Sequence, residues 1–444
     1  MNFENKDLGA SSLKAQLIAD FQIAESRMNG EAKTAIHQVR QEALKAFDQL
    51  GFPTTKHEEW KYSNVKSLVN ESYEFNAGSA ITLGDLEQLA IPNLEGNILY
   101  FINGIYNAEL SNIVSSSSEL QILTFADAVK QKSELVEKYF AKHSDFQNNA
   151  FTALNTAFAQ NGVFVYVPEN KLVETPVILR FITDTRTANT ASQPRNLVVV
   201  GKRSQVKIAE AFRSFGENVA FTNSVTEIIV DEDANVDYYK VQNETDKSFH
   251  IGTTTVYQSN RSVFSANTVT ANGGFVRNNL NIKSDGENCE SNMFGLYIPN
   301  GRQHVDNHTS VDHIRPNSVS NELYKGILKD KSTGVFNGKI FVRQAAQKTN
   351  AFQSCKNVLA SDEASMNTKP QLEIWADDVK CSHGTTTGQL NNDALFYMQS
   401  RGISKDSAKS LLMLAFAQEV IDKMQIPAIK EYLEGLIIEK IHNS

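Results

Sequence analysis

The stretch EIWADDVKCSHGTTTG, Glu373 to Gly388, brings two aspartates, a cysteine and a histidine together in a chain that holds only 3 cysteines and 9 histidines among 444 residues. Read as a strand, its side chains alternate between faces, so Cys381 and His383 share one face while Lys380 and Ser382 take the other. A thiolate beside an imidazole supplies two metal ligands, or the two members of a Cys–His nucleophile pair. The plainer alternative makes Cys381 a small buried apolar residue and His383 a hydrogen-bonded turn residue. Asp377 and Asp378, adjacent in the same strand reading, point to opposite faces and make a poor general acid/base pair.

A second cluster, GRQHVDNHTSVDHIRP, carries His304, His308, Asp312 and His313. Four-residue histidine spacing suits a metal on a helix, but the β-branched and Asn/Asp-rich context indicates strand and turn. On a strand His304 and His308 share a face about 13 Å apart, too far for one ion to bridge. These residues therefore read as polar side chains lining corners between strands. No GxxxxGK[ST], GxGxxG or HExxH is present, so the chain offers no nucleotide, dinucleotide or zincin signature. Cys289, Cys355 and Cys381 are far apart and odd in number, which fits a reducing compartment better than a disulfide framework. With no CxxC, a local four-thiolate zinc or iron–sulfur site is ruled out, and any metal here needs ligands from elsewhere.

The elements that position these residues fall into three regions. Residues 1–150 open with helix: in EAKTAIHQVRQEALKAFDQLGFP the residues Ile36, Val39, Ala43, Phe47 and Leu50 recur at helical spacing, Gly51 ends the helix and Pro53 prevents its continuation. In the following KHEEWKYSNV, Trp60 and Tyr62 serve either as a docking surface or as an aromatic anchor pinning the helix to the next unit. A small α+β stretch follows from Tyr73 to Leu123. From 151 to 390, short β-branched and aromatic runs such as GVFVYV, PVILRFI, NLVVVG and SVTEIIV alternate with turn clusters such as DEDAN, ANGG and SDGEN. A βαβ fold needs intervening helices, and a sandwich of this length would be unusually large. A mainly β chain built on a right-handed parallel β-helix fits best, its stacked rungs burying a continuous core. Residues 391–444 return to helix, with Asn391 or Asn392 and Ser404 as caps, Gly402 between them and Pro427 opening the last helix. An amphipathic face there can serve a partner as readily as a core.

Composition narrows the function. The net charge of −8, from 43 basic and 51 acidic residues, gives no general attraction to nucleic acid or anionic membranes. The polar start MNFENKDLGA lacks the pattern of a secretory signal, and no apolar run approaches the ~20 residues of a membrane span. A cytoplasmic protein is expected.

The run KPQLEIWADDVKCSHGTTTGQLNNDALFYMQSRGIS, Lys369 to Ser404, resembles the SufB/SufD family of iron–sulfur cluster assembly proteins. EEWKYSNV, HVDNHTSVDH, ELYKGIL, GVFNGKI and AQKTNAFQ look like the same family, so the likeness spans nearly the whole chain. The Cys-Ser-His triplet, without a Cys-rich N-terminal motif, favours the SufD type. That resemblance implies a helix-flanked β-helix that is a non-catalytic scaffold. It also implies pairing with a SufB-like paralogue and a SufC-type ABC ATPase docked on the C-terminal region, with a homodimer as an option for the isolated chain. A transient iron–sulfur cluster would be shared with the paralogue, His383 contributing at the interface and Cys381 in a less certain role. A flavin has been associated with complexes of this family, yet no residue here predicts a flavin site. Two other readings stand beside it: an intracellular β-helix carbohydrate-active enzyme, and a purely structural β-helix partner. A glycosidase needs two converging carboxylates about 5–9.5 Å apart, which adjacent strand residues do not provide.

Overall fold

The computed structural model describes residues 12–28, 34–75, 77–79 and 81–442; the opening decapeptide read above lies outside them. The chain forms a parallel β-solenoid of about eight turns flanked by N- and C-terminal helices. Two sheets, one of eleven strands and one of ten, face each other, and from Arg195 onward successive strands alternate between them. Within each sheet a strand pairs in parallel with the strand one turn earlier, as Ala220–Val230 does with Ser248–Gln258 and Val319–Leu328 with Asn350–Leu359. The turn length varies from 26 residues, Phe249 to Phe275, to 33, Phe164 to Leu197. This irregularity hides the repeat from a periodicity search.

The interior between the sheets is packed with Val163, Val198, Ile208, Ile228, Val236, Val256, Phe264, Met293, Tyr324 and Phe336. Both outer faces are covered as well, which is why a central strand such as Ala220–Val230 is buried at every position and lacks simple alternation. On the eleven-stranded side, Phe47, Phe52, Trp60 and Phe151 of the N-terminal region pack on Ala191, Phe221, Ile251 and Phe275. Helix Ala35–Leu50 begins at Thr34, whose side chain accepts from the His37 N–H, and ends at Gly51 with φ 61°, a conformation that glycine adopts without strain. Helix Ala150–Ala157 is tied down by Arg195, fully buried against Glu227, whose guanidinium also reaches Thr156 Oγ1 at 2.8 Å. Residues before 151 also feed the solenoid: Asn97–Ile102 and Ile105–Asn112 extend the ten-stranded sheet, and Gln121–Thr124 the other.

On the ten-stranded side, helices Lys405–Ile421 and Pro427–His442 lie against the outer face, where Met413, Val420, Ile429, Leu433 and Ile437 meet Tyr239, Val269, Leu296 and Ile327. They cover the flank of the solenoid. Asn391 caps helix Asn392–Ser400, its side chain accepting from the Asp393 and Ala394 N–H groups, and Ser404 caps the next helix.

Candidate functional site at the open end of the solenoid

Strand Lys380–Gly388 is the last strand of the ten-stranded sheet and pairs on one side only, with Asn350–Leu359. Among the described residues its opposite edge is bare. The strand is partly or fully exposed along its length, in contrast to the sealed central strand Ala220–Val230. The register stacks Cys381 on Ala351, His383 on Gln353 and Thr385 on Cys355. Cys381 packs with the inward cluster of Ile340, Val342, Ala346, Ala351 and Ala376. By strand alternation His383 and Thr385 share that inward-facing side, and the expected common face for Cys381 and His383 is what the register provides.

The two residues differ in their surroundings. Cys381 is half-buried, and burial raises its thiol, offset in part by a hydrogen bond with the Ala351 backbone. His383 is exposed on the terminal rung, with no further rung to cover it. Among the described residues no group of three or more His, Cys, Asp or Glu side chains is placed to hold a metal ion. Cys381 and His383 can therefore be part of a metal site only if other ligands come from another molecule.

Two expectations change. The strand reading of EIWADDVKCSHG fails in its middle, because Trp375 to Val379 turn the corner between strands Ser365–Ile374 and Lys380–Gly388. Asp377 is exposed in that corner, and Asp378 pairs with Lys348 while its N–H donates to Gln347 Oε1 at 2.9 Å. A short solenoid strand has to turn where its rung turns, whatever its local propensity. The second cluster does not line corners either. Strand His304–His313 lies within the eleven-stranded sheet, third from its open end. His304, Asp306 and His308 point outward beneath the N-terminal segment, while His313 points inward to Ser320 Oγ at 2.9 Å, its imidazole pushed down to about 4 by burial.

A concavity of about 450 Å³ lies over this second cluster and is lined by Trp60, Arg277, Asn281, His308, Asn337 and Lys339. Its charges are already matched to one another. Arg277 donates to Asp306 Oδ2 at 2.8 Å and lies over the Trp60 ring at 4.1 Å, while Ser63 Oγ bonds Asp306 at 2.5 Å and His304 at 2.9 Å. Glu59 bonds Lys339 and approaches His308, and these contacts hold its carboxyl at about 2. Trp60 is thus an anchor that locks the N-terminal segment to the solenoid, as one of the two readings of KHEEWKYSNV expects. The cleft is a fastening, and Cys381 and His383 lie elsewhere.

Beneath the motif strand lie two residues that the sequence reading passes over. Glu322 sits inside the solenoid, in register with Gln353, which is in register with His383. Gln353 Nε2 donates to Glu322 Oε2 at 2.7 Å. Burial raises the Glu322 carboxyl to about 7. Their spacing of one rung, 322 to 353 to 383, inside ELYKGIL, AQKTNAFQ and the Cys-Ser-His run, becomes a signal only once the strand pairing is known.

Comparison with known proteins agrees with this architecture. Residues 181–416 match the family model "SUF system FeS cluster assembly, SufBD core domain", and residues 11–179 match "SufBD protein N-terminal region". The chain is 32% identical over 423 residues, 93% of each chain, to an iron–sulfur cluster assembly SufBD family protein of Synechocystis. It is 28% identical to the iron–sulfur cluster assembly protein SufD of Escherichia coli, covering 90% of this chain and 92% of the relative. For SufD of Bacillus subtilis the identity is 27%, over 91% and 94%.

Proposed function

Because the chain belongs to the SufBD family of iron–sulfur cluster assembly proteins, we propose that it is a non-catalytic, SufD-type scaffold subunit whose open solenoid end is completed by a SufB-like paralogue. The carrying observation is the exposed His383 on a strand with one unpaired edge. A like-folded partner can continue the sheet by pairing with the bare backbone groups of Lys380–Gly388. That pairing places His383, with Cys381 one step along the same face, at the junction of the two chains. A neutral imidazole can ligate iron, and half a ligand set from each chain makes cluster building depend on correct assembly. Iron and sulfide are cargo here, held transiently and passed on.

A SufC-type ABC ATPase fits the C-terminal helices. Helix Asn392–Ser400 buries Leu395 alone, leaving Phe396 74% and Tyr397 60% exposed. ATP hydrolysis belongs to that partner. Among the described residues no helix is long and apolar enough to cross a membrane, and the proposed setting is the cytoplasm.

The test is anaerobic iron and acid-labile sulfide content of the co-expressed complex. His383→Ala removes an exposed side chain from a terminal rung and should leave stability within about 0.5 kcal/mol. The complex should form and hydrolyse ATP yet hold several-fold less iron and sulfide. Cys381→Ala should reduce loading less. Equal loading in His383→Ala would leave this chain a structural partner only.

A further inference from the structure

A metal-ligating histidine ordinarily donates its second ring N–H to a fixed acceptor, which sets its tautomer and orientation. An exposed histidine on a bare edge needs such an acceptor from the rung below. In this solenoid that rung offers Gln353, 3% exposed, whose Oε1 is buried and has no hydrogen-bond partner. Glu322 Oε2 receives the Nε2 donor, and the amide then presents its oxygen away from the acid. Gly338 in the facing strand makes room for this arrangement, since a Cβ there would collide with the Gln353 amide. Glu322 is 5% exposed and also keeps an unpartnered oxygen. An interior that leaves an acid and an amide oxygen short of donors, directly beneath the motif strand, loses stability by doing so.

We propose that Gln353, its amide set by Glu322, is the positioning residue for His383: the Gln353 carbonyl oxygen accepts one imidazole N–H once a partner covers the terminal rung, leaving the other ring nitrogen free for iron. This rests on the reading of His383 given above and adds to it a support that comes from this chain's own interior. The stack explains why a ligand on an open edge can be held in one tautomer. It also gives Glu322 a purpose that packing alone does not, because an apolar residue in its place would be less costly to bury.

The test compares three variants in the co-expressed complex with the paralogue and the ATPase. Gln353→Met keeps length and volume but removes the acceptor, and iron and sulfide loading should fall about tenfold or more. The exchange Glu322→Gln with Gln353→Glu restores both an acceptor beneath His383 and the hydrogen bond between the two side chains, so loading should return. A role in packing alone predicts the opposite order, with the apolar variant tolerated and the exchange no better. Wild-type loading in Gln353→Met, alongside loss in His383→Ala, would overturn the inference and leave the functional reading standing. Retained loading in His383→Ala would instead remove the reading itself. Should Gln353→Met fail to assemble, a crystal structure of the wild-type complex decides: a His383 ring beyond hydrogen-bond reach of Gln353 Oε1 overturns the proposal.

Discussion

Glu322 is sealed inside the solenoid, where it accepts a hydrogen bond from Gln353 Nε2 and the Thr309 hydroxyl also acts on its carboxyl, with no cation among the groups that do so. Its folded carboxyl sits at about 7 against an ordinary value of 4.5, so the folded chain binds the proton more tightly than the unfolded chain. Stability from this group is therefore fully present below the ordinary value, declines as pH rises, and levels off above about 7. The contribution at stake is on the order of 3 kcal/mol. Glu322→Gln should gain stability over wild type at about pH 8 while differing little at about pH 5. Urea unfolding at the two pH values measures this, and a stability difference that does not change with pH would contradict it. Cys355, stacked beneath Thr385, shows the same burial effect, its thiol pushed up to about 12. It is an inert interior residue, and Cys381 is the thiol nearer solvent.

Among the elements, the C-terminal helices carry two separate roles. The last two are part of the fold: Lys325 Nζ donates to the Phe416 carbonyl at 2.9 Å and pairs with Glu419, and Asn243 donates to Tyr432 Oη at 3.2 Å. Deleting residues 391–444 would strip the apolar face of Tyr239, Val269, Leu296 and Ile327, so loss of binding after that truncation would report unfolding as readily as a lost interface. The short helix Asn392–Ser400 is different, since its aromatic pair touches mainly solvent. Phe396→Asp with Tyr397→Asp should leave stability within about 1 kcal/mol and weaken capture of the ATPase at least about tenfold, as loss of aromatic anchors does at interfaces. Pull-down from co-expressed chains, with thermal melting as a control, checks both parts. Undiminished capture would place the ATPase on another surface.

At the scale of the molecule, burial is graded along the solenoid. The central turns are covered on both outer faces, while Ser365–Ile374 and Lys380–Gly388 end the two sheets with little over them. Lys380 N–H bonds back to the Thr349 carbonyl at 2.9 Å, so by parallel-strand alternation the N–H groups of Cys381, His383 and Thr385 face the bare side. A proline on an edge strand is tolerated when its missing N–H pointed outward. Thr385→Pro should thus leave the isolated chain's melting temperature nearly unchanged and weaken pairing with the paralogue about tenfold or more, by blocking sheet continuation. Analytical ultracentrifugation of the mixed chains measures it. The same experiment on the chain alone tests self-pairing through this edge, and unaltered heterodimer affinity would show that the partner sits elsewhere.

Much of this was legible in residue order. GVFVYV, PVILRFI, NLVVVG and SVTEIIV form strands because β-branched and aromatic residues bounded by turn clusters carry that preference locally. Gly51, Asn391 and Ser404 mark helix ends because capping involves only neighbours in the chain. The Cys-Ser-His run, with its common face for Cys381 and His383, follows from the two-residue period of a strand. Tertiary structure alone decided the rest. Asp377 and Asp378 lie in a corner because the rung has to turn there, and Arg277 meets Trp60 because the N-terminal segment folds back across more than two hundred residues. The stack of Glu322, Gln353 and His383 exists only through the pairing of strands about thirty residues apart, with turn lengths too uneven for any local pattern to reveal which residues lie over one another.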